Sequence, residues 1–281
     1  MNILSQILRN KRNEVDERKQ LYPIKLLEKS IYFNTDTVSL KKYLVLSDKS
    51  GIIAEFKTKS PSKGDINPYA DVSKISIEYM QAGASALSIL TDQKFFGGKT
   101  EHLTQARKYN YCPILQKDFF IDEYQVIEAK SIGADAILLI ANALSKSKLR
   151  SMTMLANSLD LEVLFEVHNK QDLGKMNELI EIVGVNNRNL ETFQTDIQQS
   201  VEMADEIPNE LIKVSESGIS NASDINLLRS YGFNGFLIGE NFMKTSNPGR
   251  ACKDIISDLT KNVSNDKLKE ITYETESLRV K

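Results

Sequence analysis

Four ionisable side chains, Glu55, Lys57, Lys117 and Glu166, stand at or next to the ends of three apolar, β-rich runs: Ile52–Lys57, Pro113–Lys117 and Leu161–Glu166. Alternate side chains of a strand share a face. In the first run Ile52, Ala54 and Phe56 form an apolar face, while Ile53, Glu55 and Lys57 form the other, which grows charged toward its C-terminal end. By the same parity Glu162, Leu164 and Glu166 lie together. So do Ile182, Gly184 and Asn186, with Arg188 two residues further on. Taken singly, each charge reads equally well as an exposed strand end or a structural ion pair. On the inward parity of three strands at once, the four favour a task, because an unpaired buried ion costs several kcal/mol. A lysine can protonate a developing oxyanion and a carboxylate can remove a proton, so the set suits acid–base catalysis. Burial and a neighbouring lysine are expected to lower a lysine's pKa toward the proton-transfer range.

A second group carries different chemistry. Ser215-Glu216-Ser217-Gly218-Ile219 and Ile238-Gly239-Glu240 each follow a β-rich run. Small residues there let backbone N–H groups approach an anion, and helix N-termini nearby favour negative charge. Each glycine alone reads as a turn residue; the pair at two successive strand ends reads as a phosphate site. Phe95-Phe96-Gly97-Gly98 is expected to shape a loop wall, His168 to be a loop residue with no role, and Cys112 and Cys252 to be inert packing.

The elements that must position these residues repeat. Strand candidates are Ile52–Lys57, Ala86–Leu90, Pro113–Lys117, Asp135–Ile140, Leu161–Glu166, Ile182–Asn186, Ile212–Ser215 and Gly235–Ile238. Helical patterns fall between them, such as Asp122–Ile132 before Gly133 and Ala222–Ser230 before Gly232. Eight β–α units separated by roughly 20–35 residues predict a parallel sheet closed as a single (β/α)8 barrel, whose chemistry sits at the C-terminal ends of its strands. No GxGxxG follows the first strand, which counts against a dinucleotide fold. Residues 1–50 are expected to form a helical extension, 51–260 the barrel and 261–281 a polar tail. Ile3, Leu4, Ile7, Leu8 and Val15 make a one-sided stripe that must cover something apolar, either the bottom of the barrel or its mouth.

Composition bounds the function. The 36 Lys and Arg nearly balance 38 Asp and Glu, for a net charge of −2, which argues against a general nucleic-acid binder. Two cysteines without a CxxC, and two histidines, leave little for a disulfide scaffold or a metal site. No apolar run is long enough to span a bilayer, and the first residues lack a signal peptide's apolar core, so a cytoplasmic protein is expected.

In Ala54-Glu55-Phe56-Lys57-Thr58-Lys59-Ser60-Pro61-Ser62-Lys63-Gly64, Leu115-Gln116-Lys117-Asp118-Phe119 and Leu164-Phe165-Glu166-Val167-His168 the chain resembles the indole-3-glycerol-phosphate synthases of tryptophan biosynthesis. The likeness continues through Val185-Asn186-Asn187-Arg188-Asn189-Leu190, Ser215–Ile219 and Leu237–Glu240, covering roughly residues 3 to 255. Gln116 departs from the usual Arg, and Thr58 and Phe242 also vary. The resemblance implies a cofactor-independent carboxy-lyase. It would convert 1-(2-carboxyphenylamino)-1-deoxyribulose 5-phosphate to indole-3-glycerol phosphate, carbon dioxide and water, with no metal. It implies Lys117 as the acid of ring closure, Glu166 and Glu55 as candidate bases, and Lys57 as carboxylate ligand or second acid. Ser60, Asn186 and Arg188 would bind substrate; Ser217, Gly218, Gly239 and Glu240 would surround the phosphate, Glu240 through its backbone. A small phosphorylated substrate, no nucleic acid, no membrane, and a monomer or weak homo-oligomer complete the expectation. Three rival readings share parts of this pattern: phosphoribosylanthranilate isomerase, which would place a Cys where Lys57 stands, a Schiff-base aldolase, and a non-catalytic phosphosugar binder.

Overall fold

The computed structural model describes residues 2–189 and 192–261. Eight parallel strands alternate with helices: β1 (Ile52–Phe56), β2 (Ala86–Leu90), β3 (Ile114–Lys117), β4 (Ala136–Ile140), β5 (Glu162–Val167), β6 (Ile182–Asn186), β7 (Ile212–Glu216) and β8 (Gly235–Ile238). Each pairs with its neighbours in sequence, and β8 pairs back to β1, closing a (β/α)8 barrel. The parity argument holds. Ile53, Ala86, Leu115, Ala136, Leu164, Ile182, Val214 and Leu237 pack inside the barrel, while Ile52, Ala54 and Phe56 join the larger core between strands and helices.

Local signals explain where the helices begin and end. Asp122 caps Glu123–Ile132 in a capping box with Gln125, satisfying orphan N–H groups of the first turn, and Gly133 stops it at φ 91°. Asn221 and Asp224 form the same device at the start of Ala222–Ser230. At the C-terminal end a helix runs over 248–261, and the expected tail lies outside the described residues.

The N-terminal extension divides its work. Helix α1 (Ile3–Leu21) is capped by Asn2 and buries Ile7, Lys11 and Val15. Its first turns lie over the C-terminal mouth, where Ile3, Leu4 and Ile7 line the same cavity as Lys117 and Glu166. Helix α2 (Leu40–Val45) closes the other end: Leu40 and Leu44 join the barrel-interior cluster, and Leu44 lies against Gly235 at the start of β8. The two coverings expected as alternatives for one segment are thus made by two different helices.

Candidate active site

The mouth of the barrel gathers Glu55, Lys57, Lys117 and Glu166. Lys57 Nζ lies 2.7 Å from Glu55 Oε1 at the end of β1. Lys117 Nζ, at the end of β3, lies 2.9 Å from Glu166 Oε2 on β5 and 3.2 Å from Glu216 Oε2 on β7. Glu55, Glu166 and Glu216 are all buried, and the Lys117 side chain is 14% exposed. Asn186, Ser60 and Arg188 line the same cavity. Phe96 and Phe119 pack with ring centroids 5.8 Å apart at its edge, the loop wall expected of Phe95–Gly98.

The electrostatics correct one expectation. Burial pulls the Lys117 pKa down, but the carboxylates of Glu166, Glu216 and Glu55 outweigh it, so the ammonium is held well above the ordinary lysine value. A neighbouring lysine was expected to depress it; instead Lys117 is ringed by acids, and Lys57 turns to Glu55. The two carboxyls on Lys117 are driven apart. Burial raises Glu166, yet Lys117, His168 and a hydrogen bond from Asn186 more than reverse this and hold it below its usual value. Glu216 is pushed up to about 8 by burial, reinforced by repulsion from Glu166 and Glu55 that Lys117 only partly offsets. At neutral pH the site therefore offers a lysine cation, an ionised carboxylate and a carboxylic acid within hydrogen-bond reach. Carboxyls whose pKa values are pushed apart mark acid and base roles.

Glu216 was not among the residues assigned chemistry from the sequence. The strand was expected to end at Ser215, which left Glu216 in a loop; β7 runs one residue further, so Glu216 shares the inward face with Ile212 and Val214. A second signal was available in β6. A Cβ at Gly184 would lie 2.3 Å from Glu216 Oε1, so the missing side chain makes room for the carboxyl.

A basic recess opens beside this cavity, lined by Lys57, Arg188, Ser217, Gly218, Gly239, Glu240 and Lys244. Ser217 and Gly218 are both left-handed, at φ 68° and 79°. The first is a conformation that a residue with a side chain adopts at a cost, and such strain gathers at ligand sites. At Gly239 a Cβ would strike Glu55 Oε1 at 2.3 Å, so this recess and the barrel mouth share a wall. Arg188 donates to Ser62 Oγ (3.1 Å) and Glu240 Oε2 (3.2 Å). The Glu240 carboxylate thus pairs with the Arg188 guanidinium. Cys112 and Cys252 are buried packing residues, and burial pushes both thiols up to about 12.

A closed (β/α)8 barrel with lysine–glutamate pairs at its C-terminal mouth, beside a basic glycine-lined recess, has the layout of the barrel enzymes that keep their chemistry at the strand ends. Sequence comparison narrows the class. The family profile of indole-3-glycerol phosphate synthase matches residues 4–255. An indole-3-glycerol phosphate synthase of Bacteroides thetaiotaomicron is 49% identical over 254 residues, covering 90% of this chain and 97% of the relative. One from Alkaliphilus metalliredigens is 40% identical, covering 92% and 99%. The chain belongs to the indole-3-glycerol phosphate synthase family, carboxy-lyases of tryptophan biosynthesis. Among solved structures, 3-hexulose-6-phosphate synthase from Salmonella typhimurium superposes with a TM-score of 0.60 at 11% identity, covering 75% of this chain and 98% of that one; the likeness is one of fold.

Proposed function

We propose that Lys117 is the general acid of ring closure, protonating the ketone oxygen of 1-(2-carboxyphenylamino)-1-deoxyribulose 5-phosphate as the aromatic carbon attacks. The observation that carries this is Lys117 Nζ, held charged 2.9 Å from Glu166 and 3.2 Å from Glu216 in a buried mouth. Departure of carbon dioxide then restores the aromatic ring. Dehydration needs an acid for the leaving hydroxyl and a base for the remaining proton. Glu166, kept ionised, suits the base, and Glu216, kept protonated, suits the second acid. Lys57, held by Glu55, receives the substrate carboxylate, and Glu55 stands as an alternative base. Asn186, Arg188 and Ser60 position the substrate. Ser217, Gly218, Gly239 and the backbone of Glu240 surround its phosphate, with Arg188 and Lys57 as counter-charges.

The proposal extends to the whole chain: an extension over 1–50, the barrel over 51–260 and a tail over 261–281, working in the cytoplasm as a monomer or weak homo-oligomer. The buried thiols suit a reducing compartment, and among the described residues no helix is long and apolar enough to cross a membrane. The deciding experiment supplies the carboxyphenylamino substrate to purified protein in EDTA and follows indole fluorescence. Turnover is expected; folded protein that forms no product would overturn the reading.

A further inference from the structure

Two carboxylates hold the head of Lys117, but a lysine carries its ammonium on a flexible stem, so the ammonium is placed only as well as the backbone beneath it. The residues on either side, Gln116 and Asp118, are polar and buried. One residue grips all three. Thr91 directly follows β2 and is buried, and its hydroxyl donates to Asp118 Oδ2 at 2.5 Å while accepting from Gln116 Nε2 at 3.0 Å. Its backbone N–H donates to the Lys117 carbonyl at 3.2 Å, one step beyond the last paired residues of β2 and β3, Leu90 and Lys117.

Asp118 is held from a second direction. Its Oδ1 accepts from the Phe119 N–H at 2.7 Å and lies 2.8 Å from Lys11 Nζ. Lys11 stands on α1 one turn after the cavity-lining Ile7, and it also lies 3.0 Å from Asp92, the residue after Thr91. Asp92 in turn accepts from the Phe95 N–H at 2.8 Å and caps the short helix Gln93–Phe96, whose Phe96 lines the cavity. Threonine suits the centre of this cluster. Its hydroxyl can donate and accept at once, and its branched Cβ leaves the side chain little torsional freedom. Hydrogen bonds to an ionised acceptor are short and strong, and this one fixes where the chain leaves β3.

We propose that Thr91 is a positioning residue for the reaction: through Asp118, Gln116 and the Lys117 carbonyl it sets the backbone from which Lys117 reaches the substrate ketone. The inference rests on the general-acid role given above to Lys117. Thr91 itself does not line the cavity, so it acts only through its neighbours. Because Lys11 holds Asp118 and Asp92 together, the same cluster joins α1 to the acid, and covering the mouth and aligning Lys117 become one structural event. A displaced Lys117 leaves substrate binding intact but delivers its proton poorly, and a misplacement of about 1 Å costs on the order of 10²-fold in rate.

The test uses the full chain. Thr91→Val keeps the branched shape and removes the hydroxyl, Thr91→Ser keeps the hydroxyl, and Asp118→Ala removes the same bond from its other end. Folding is checked by circular dichroism and thermal melts, and kcat and KM are measured per folded protein. Thr91→Val and Asp118→Ala are expected to lose kcat at least about 10-fold with KM within about twofold, and Thr91→Ser to stay within about threefold of wild type. In a Lys117→Ala background, assayed at high enzyme concentration, Thr91→Val should change kcat by less than about twofold, since no acid is left to misplace. A merely structural threonine would lower the melting temperature and leave the kcat of folded enzyme unchanged; that result in either variant overturns the proposal. So does an equal fold-loss with and without Lys117. If Lys117→Ala alone keeps wild-type kcat, the site reading falls and the positioning role with it. If Lys117→Ala is impaired and Thr91→Val is not, the positioning role alone falls.

Discussion

Lys117 illustrates how burial alone does not decide a pKa. Desolvation disfavours its charge, but the nearby acidic groups of Glu166, Glu216 and Glu55 outweigh that penalty, so its ammonium form is favoured. Lys117→Ala is expected to lower kcat by at least ~10²-fold, the usual scale for a general acid. A variant within a few-fold of wild type would make Lys117 a structural charge. Glu166→Gln keeps shape and removes proton chemistry, so kcat should fall more than KM rises. Glu216 gives the pH dependence. Its folded pKa is raised to about 8, so the acid form is present below that value and lost as pH climbs through it. Activity should therefore decline on the alkaline side near pH 8, and Glu216→Gln, which cannot ionise, should flatten that limb while lowering kcat. A limb that persists unchanged would assign it to another group. Glu55, Lys57, Lys117 and Glu166 were legible because strand parity puts them on one face. Glu216 was hidden because the apolar pattern of its strand ends at Ser215 while the strand itself runs to Glu216, and pairings across the barrel cannot be read from one strand at a time.

At the scale of elements, α1 is held over the mouth by more than its apolar stripe. Lys11, 1% exposed, contacts Asp92 at 3.0 Å, Asp118 at 2.8 Å and Glu14 at 3.0 Å. Asp118 follows Lys117 directly and also accepts from Thr91. One buried cation thus ties the helix to the ends of β2 and β3. Lys11→Met strands two buried carboxylates and is expected to cost about 3–5 kcal/mol, the penalty for removing one partner of a buried ion pair. Thermal or urea unfolding measures it. The sequence signalled the stripe of Ile3, Leu4, Ile7, Leu8 and Val15 but offered no reason to bury the lysine among them, since its partners lie about 80 and 107 residues away. Because α2 is the plug, a chain shortened to begin at Pro23 keeps Leu40 and Leu44 and should fold. It loses Ile3, Leu4 and Ile7 from the cavity wall, and its KM should rise at least ~10-fold, worth roughly 1.4 kcal/mol. An unchanged KM would mean that α1 only stabilises. A chain beginning near Leu44 would lose the plug as well and would confound the two effects.

At the scale of the whole molecule, eight units of strand and helix were legible because each carries its own period and its own stop, and closure follows from their number. What periodicity leaves open is how loops meet above the barrel, and the recess proposed to take the phosphate is made there, by residues from β1 and from the loops after β6, β7 and β8. Arg188 and Glu240, 52 residues apart, share a hydrogen bond that no local pattern announces. The molecule carries a net charge of −2, so an anion must be drawn by this local group rather than by a global field. Inorganic phosphate should therefore bind at the recess and protect the fold: at a hundred times its Kd it adds about 2.7 kcal/mol to stability. For a barrel of this size that raises Tm by roughly 5–10 °C. Gly239→Asp places a carboxylate in the recess and drives its Cβ into Glu55, so the protection should vanish and KM rise steeply. Gly218→Ala separates backbone from charge. Its φ of 79° is costly for alanine, but the new methyl meets Thr195 at 3.3 Å and Ile197 at 3.6 Å and no charged group, so protection should weaken without disappearing. Calorimetric melts of the three proteins with and without phosphate give the answer, and a Gly239→Asp protein that keeps the full phosphate shift would put the anion site elsewhere on the barrel.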